Sequence, residues 1–191
     1  STAAELDAAI EAGAYAVSDD PEVACRSGRI EAVIETTGDV EYGARVAFDA
    51  VTHGKHVVLM NAEVDSTIGP ILKVHADRHG VVYTYTDGDE PGVAMNLYRF
   101  VDSIGYKPLL MGQIKGFLNR YRNPETQREF AAKHQQKAEM VASFADGSKL
   151  AIESTIIGNA TGFRPAIRGM HGKTIDGRAL VPGEDYLRRL A

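Results

Sequence analysis

Thiols are almost missing from this 191-residue chain: Cys25 is its one cysteine. It cannot close an internal disulfide, which fits a reducing compartment, so a cytoplasmic location is expected. Basic residues are in the minority: 21 Lys and Arg against 26 Asp and Glu leave a net charge of −5. Neutralising a phosphate backbone needs the opposite balance, so nucleic acid is not an expected partner. No apolar run reaches the ~18 residues that a membrane span requires. The first residues lack the basic flank and apolar segment of a secretory signal. Gly-x-Ser-x-Gly is absent, which removes support for a nucleophile-elbow hydrolase. His-Glu-x-x-His is absent too, so His53, His56, His75 and His79 read as ordinary helix-end histidines. Also missing is the leading strand with Gly-x-Gly-x-x-Gly that opens a dinucleotide-binding sheet.

What is present is globular in character, with 44% hydrophobic and 25% charged residues. Apolar patterning and caps predict helices over residues 1–11, 21–27, 39–52 and 66–79, the last stopped by Gly80. Strands are predicted over 14–17, 30–36, 56–60 and 81–86. Strands alternating with helices across short turns imply an open parallel sheet. The runs 30–34 and 56–60 are apolar enough to expect cover on both faces. Beyond residue 91 the pattern changes. A helix over 92–104, a strand over 109–118 and a polar helix from Asn123-Pro124 are predicted, with a turn at Asp146-Gly147. Residues 149–159 fit strand or helix equally, and from Gly158 onward a glycine-rich loop is expected.

Ligands in an open parallel sheet bind beyond the carboxyl ends of its strands. Three such ends carry chemistry. Thr36, Thr37 and Gly38 form a strand-to-helix turn where backbone can approach a nucleotide, or where a helix is simply capped. Asn61, Glu63 and Asp65 emerge abruptly from an apolar strand; they could orient a cofactor ring or substrate, or decorate a helix start with favourable charge. Asp87, Asp89 and Glu90 crowd one turn, where carboxylates repel unless a cation or proton sits among them; hard oxygen donors suit Mg²⁺ or Mn²⁺. The alternative is a solvated acidic turn. Lys115 lies within an apolar stretch, which is costly without a partner or cavity; it could stabilise an oxyanion or guard an edge strand. Asn159, Thr161 and Arg164, followed by Arg168, His171 and Lys173, form a locally basic stretch suited to an anionic substrate group, or a linker.

Several of these strings resemble one family. Ser18-Asp-Asp-Pro21, Ile30 through Gly38, Gly54 through Asp65, Asp87 through Gly92, Lys115-Gly-Phe-Leu-Asn119, Gly158 through Pro165 and Arg168-Gly-Met-His-Gly172 are similar, in order, to the homoserine-dehydrogenase-like oxidoreductases. The branch they resemble is the deoxyxylulose-phosphate-reductoisomerase-like one. The resemblance implies an N-terminal NADPH-binding Rossmann domain, a central catalytic domain and a small C-terminal domain of the SAF type. On this chain it implies a partial Rossmann-type parallel sheet over 1–91 without its first strand and glycine-rich loop. An α+β catalytic domain over 92–170 and a linker over 171–191 would follow. The expected molecule is therefore part of a longer enzyme, and this part alone is expected to be inactive.

The implied chemistry is rearrangement of 1-deoxy-D-xylulose 5-phosphate, then reduction by NADPH to 2-C-methyl-D-erythritol 4-phosphate, a step toward isoprenoid precursors. Under it, Thr36, Thr37, Gly38, Asn61, Ala62 and Glu63 face the cofactor. Asp89 and Glu90 hold a divalent cation, Lys115 and Glu90 serve catalysis, and Asn159, Thr161 and Arg164 bind substrate. A homo-oligomer is expected. Two alternatives stay open: an NAD(P)-dependent dehydrogenase of another small acidic or phosphorylated substrate, and a non-catalytic binding or oligomerisation module.

Overall fold

The computed structural model describes residues 2–113 and 118–168. Its first half alternates helices and strands: α1 (Ala3–Glu11), α2 (Pro21–Arg26), β1 (Ala32–Glu35), α3 (Val40–Thr52), β2 (His56–Leu59), α4 (Ala62–His79) and β3 (Tyr83–Tyr85). Four helices follow: α5 (Glu90–Ser103), α6 (Pro124–Lys133), α7 (Ala138–Asp146) and α8 (Ser148–Thr161). The three strands form one parallel sheet in the order β1-β2-β3, with Val33 beside Val57 and Val57 beside Tyr83. The chain is thus a mixed α/β protein with a partial Rossmann-type sheet.

Local chemistry explains the element boundaries. Thr2 and Glu5 close a capping box at α1. The Asp39 carboxylate accepts from the Tyr42 amide at 2.7 Å and starts α3. Gly54 and Gly80 take left-handed backbone (φ 74° and 67°) where α3 and α4 stop. Helix α4 begins at Ala62 rather than Ser66, because Asn61 caps it through the Val64 amide at 3.3 Å.

The core lies on one side of the sheet, where Cys25, Ala47, Ala50, Val51, Val57, Leu59, Val64, Leu72 and Ala76 pack from α2, α3, α4 and β2. The opposite sheet face is not covered by the described residues. Ile34 is 64% exposed, and Ala32, His56 and Thr84 on the same face are exposed as well. The expectation of two covered faces therefore fails for β1 and β2. Residues 14–17 form no strand; Tyr15 and Val17 are open to solvent, and no strand among the described residues pairs with their backbone. Residues 109–113 are irregular, and 114–117 lie outside the description. The ambiguous 149–159 stretch is helix, and α8 carries on through Thr161, so the loop expected from Gly158 begins only at Gly162.

Helix α8 links the two halves. It packs on α4, α5 and α7, and its buried face consists of Glu153, Ile156 and Ile157. Its Lys149 reaches Glu63, past the end of β2, and its Glu153 meets Asp89 and Glu90, past the end of β3.

Candidate functional site

At the end of β1, Glu35 is buried and its Oε1 accepts from the Thr37 amide at 2.8 Å and the Thr37 hydroxyl at 2.5 Å. Its Oε2 is buried and has no hydrogen-bond partner among the described residues. Asn61, from the end of β2, donates to the Asp39 carbonyl at 3.0 Å. Gly43 makes room for this arrangement: a Cβ there would stand 2.8 Å from Asn61 Nδ2 and 2.9 Å from Glu35 Oε1. Thr37 and Asn61 thus serve the protein's own framework. Thr36, Thr37 and Gly38 nonetheless remain exposed at the rim.

The end of β2 is committed in a similar way. Both ends of the Asn61 amide are used, one for capping α4 and one for Asp39. Ala62 is fully buried. Asp65 accepts from the Tyr83 hydroxyl at 2.7 Å; burial raises its pKa and this hydrogen bond partly opposes the rise. Glu63 reaches across to Lys149 of α8, at 3.5 Å.

The end of β3 is different. Asp87 closes its own turn, accepting from the Gly88 amide at 2.9 Å and from the Asn96 side chain at 2.7 Å. Asp89 occupies the N-cap position of α5 but makes no capping bond. Its carboxylate instead accepts from the Tyr85 hydroxyl at 2.9 Å. Glu90 follows in the first turn of α5. Glu153, fully buried, arrives from α8. One carboxylate oxygen from each of Asp89, Glu90 and Glu153 lies within 4.8 Å of the other two. The Tyr85 phenol is held well above its ordinary pKa. Burial is the chief cause, followed by the hydrogen bond to Asp89 and the charges of Asp89, Glu153 and Asp65. Tyr85 is therefore a fixed neutral donor to the cluster.

Close packing fixes α5 against the strand end. A Cβ on Gly92 would lie 2.4 Å from the Thr86 carbonyl oxygen. Only glycine lets the first turn of α5 approach this closely. Three carboxylates this close need a positive charge or a shared proton, and an all-oxygen donor set suits Mg²⁺ or Mn²⁺. On donor chemistry the residues fit a hard divalent cation.

The sequence had indicated Asp89 and Glu90 but not Glu153. A signal for it existed: one carboxylate within the apolar run Leu150 to Ile157, at helical spacing from Ile156 and Ile157. Asn159 and Thr161, expected in a loop, belong to the last turn of α8. The Thr161 hydroxyl donates to the Ile157 carbonyl at 2.7 Å and accepts from the Phe163 amide at 3.2 Å, which finishes the helix. Thr161 lies eight residues beyond Glu153, about 12 Å along the helix axis. Arg164 is exposed beyond it. These three do not converge on the carboxylate cluster. Lys115, His171 and Lys173 lie outside the described residues.

A parallel α/β sheet with convergent carboxylates beyond a strand end is the architecture of an α/β enzyme. Residues 88–182 match the family model of the oxidoreductase DRL catalytic domain. This half of the chain, with Asp89, Glu90 and Glu153 inside it, is therefore similar to the catalytic domain of that oxidoreductase family. A crystal structure of a candidate homoserine dehydrogenase from Archaeoglobus fulgidus is similar over 82% of this chain, at 22% identity and a TM-score of 0.49. The chain spans 52% of the length of that protein. No curated protein sequence matches the chain.

Proposed function

We propose that the chain is part of an NADPH-dependent oxidoreductase that converts 1-deoxy-D-xylulose 5-phosphate to 2-C-methyl-D-erythritol 4-phosphate with a divalent cation. The observation that carries this reading is the meeting of Asp89, Glu90 and Glu153 at the end of β3, in the segment matched to the DRL catalytic domain. Asp89, Glu90 and Glu153 would hold the cation, and Tyr85 would keep the Asp89 carboxylate turned toward it. Bound there, a cation would polarise the substrate carbonyl, and NADPH would supply the hydride. Thr36, Thr37 and Gly38 would border the cofactor from the end of β1. Asn61, buried and bonded to both helix starts, would set that border by anchoring α3 to α4 rather than by touching the nicotinamide. Lys115 is proposed to stabilise the oxyanion that develops on the substrate.

A second reading is favoured by the position of Arg164. It lies two helical turns or more past the carboxylates, so it is poorly placed to hold a phosphate on a substrate bound there. This favours an NAD(P)-dependent dehydrogenase of a small acidic, non-phosphorylated substrate at the same site.

The test is NADPH oxidation with deoxyxylulose phosphate and, separately, NADP⁺ reduction with homoserine, by the full-length protein in the presence and absence of Mn²⁺. Turnover of deoxyxylulose phosphate that requires Mn²⁺ and drops at least ~100-fold in Glu153→Gln supports the first reading. Turnover of homoserine alone supports the second. Metal-independent turnover sinks the cation role.

A further inference from the structure

Lys149 stands where a cation is unfavourable. It lies in the first turn of α8, whose N-terminus carries no side-chain cap, and the helix dipole there opposes positive charge. Its side chain is only 13% exposed. A half-buried ammonium at the positive end of a helix needs a counter-charge. Glu63 supplies it at 3.5 Å, from a residue 86 positions earlier in the chain. A second tie grips the same turn: Gln113 donates to the Leu150 carbonyl at 3.3 Å.

Lys149 and Glu153 are four residues apart, so they share one face of α8 one turn from each other. The ion pair pins the first turn of α8 to the first turn of α4, just past β2. The next turn then delivers Glu153 to Asp89 and Glu90 at the end of β3.

We propose that Lys149, through its pair with Glu63, is a positioning residue that sets the register of α8 and so holds Glu153 in the carboxylate cluster. The inference rests on the cation reading for its effect on binding, but not for its effect on α8. Electrostatics and positioning predict opposite signs. Taken as a field alone, the Lys149 charge repels a divalent cation, and its removal tightens binding. Taken as a clamp, its removal loosens binding.

The experiment titrates Mn²⁺ into the full-length protein by calorimetry and follows amide hydrogen exchange over residues 148–157. Lys149→Met combined with Glu63→Gln removes both charges and leaves the local net charge unchanged. The expected result is Mn²⁺ affinity weakened about tenfold or more, the range seen when support behind a metal ligand is lost, with faster exchange in α8. Lys149→Met alone is expected to weaken binding likewise, and Lys149→Arg to stay within about threefold of the wild type. Unchanged affinity in the double variant, or tighter binding in Lys149→Met, overturns the proposal. If the wild type binds no Mn²⁺, the cation reading fails by itself. The clamp is then decided by exchange: faster exchange in the double variant supports it, and unchanged protection overturns it. Should the double variant not fold, Lys149→Gln with Glu63 intact carries the same comparison.

Discussion

At the end of β2, Asn61 turns back onto its own helix, while at the end of β3 Asp89 turns away from its helix toward Tyr85 and Glu153. Both residues hold the N-cap position, of α4 and α5 respectively. Proline placement narrows the choice at α5 without removing it, since the Gly92 amide remains a possible donor. An N-cap side chain accepts from the amide of the second or third helical residue. In α5 the second residue is Pro91, which has no amide hydrogen. Helices α2 and α6 carry proline one position earlier, at Pro21 and Pro124, and their caps Asp20 and Asn123 still accept from Glu22 and Thr126. Asp20-Pro21 and Asn123-Pro124 close their caps, whereas Asp89, ahead of Glu90-Pro91, takes the Tyr85 hydroxyl instead. A polar cluster at a strand end thus turns to framework or away from it according to which partners its side chains take.

The comparison can be broken most forcefully at Gly92. Gly92→Ala drives a Cβ into the Thr86 carbonyl, and we expect a loss of about 3 kcal/mol from forced displacement of α5. Urea melts would register the loss, and Mn²⁺ titration would register separation of Glu90 from Glu153. A variant as stable as the wild type would show that α5 approaches β3 less closely than described.

The next effect sharpens the contrast between the two caps. Asn61→Ala removes a buried cap and a second hydrogen bond, and is expected to cost about 2 kcal/mol. Asp89→Asn keeps an acceptor for Tyr85 and breaks no cap, so its stability is expected within about 0.5 kcal/mol of the wild type, with Mn²⁺ affinity reduced. Equal stability losses in the two variants would erase the distinction.

The smallest effect concerns pH. Asp65 has a folded pKa raised mainly by burial. Its folded form holds the proton more tightly than the unfolded chain, so stability falls as pH rises from its ordinary value near 3.8 through the raised one. Above that range the cost of the buried charge is complete. Asp65→Asn, which can still accept from Tyr83, is expected to flatten this part of the stability–pH curve. A curve unchanged by the substitution would locate the dependence elsewhere.

Much of the fold was legible because its signals are local. The caps Asp39 and Asn123, the stops Gly54 and Gly80, and the alternation of apolar strands with helices all act within a few residues. What failed were expectations about partners. Residues 14–17 have strand-like composition but no strand to pair with, and cover on both faces of β1 and β2 depended on elements that only packing can place. Thr161 resembles a loop residue beside Gly158 and Gly162, yet it is the last residue of α8, its hydroxyl bonded back to Ile157.

The sequence by itself determined the parallel α/β order, the helix boundaries marked by caps, and the acidic turn holding Asp89 and Glu90. Only the tertiary structure decided that Asn61 is framework, that Glu153 completes the carboxylate cluster, and that Asn159, Thr161 and Arg164 stand apart from it. The physical reason is range. Caps and turns are settled by hydrogen bonds between near neighbours, whereas Glu153 and Glu90, more than sixty residues apart in the chain, meet only because α8 packs on α4 and α5.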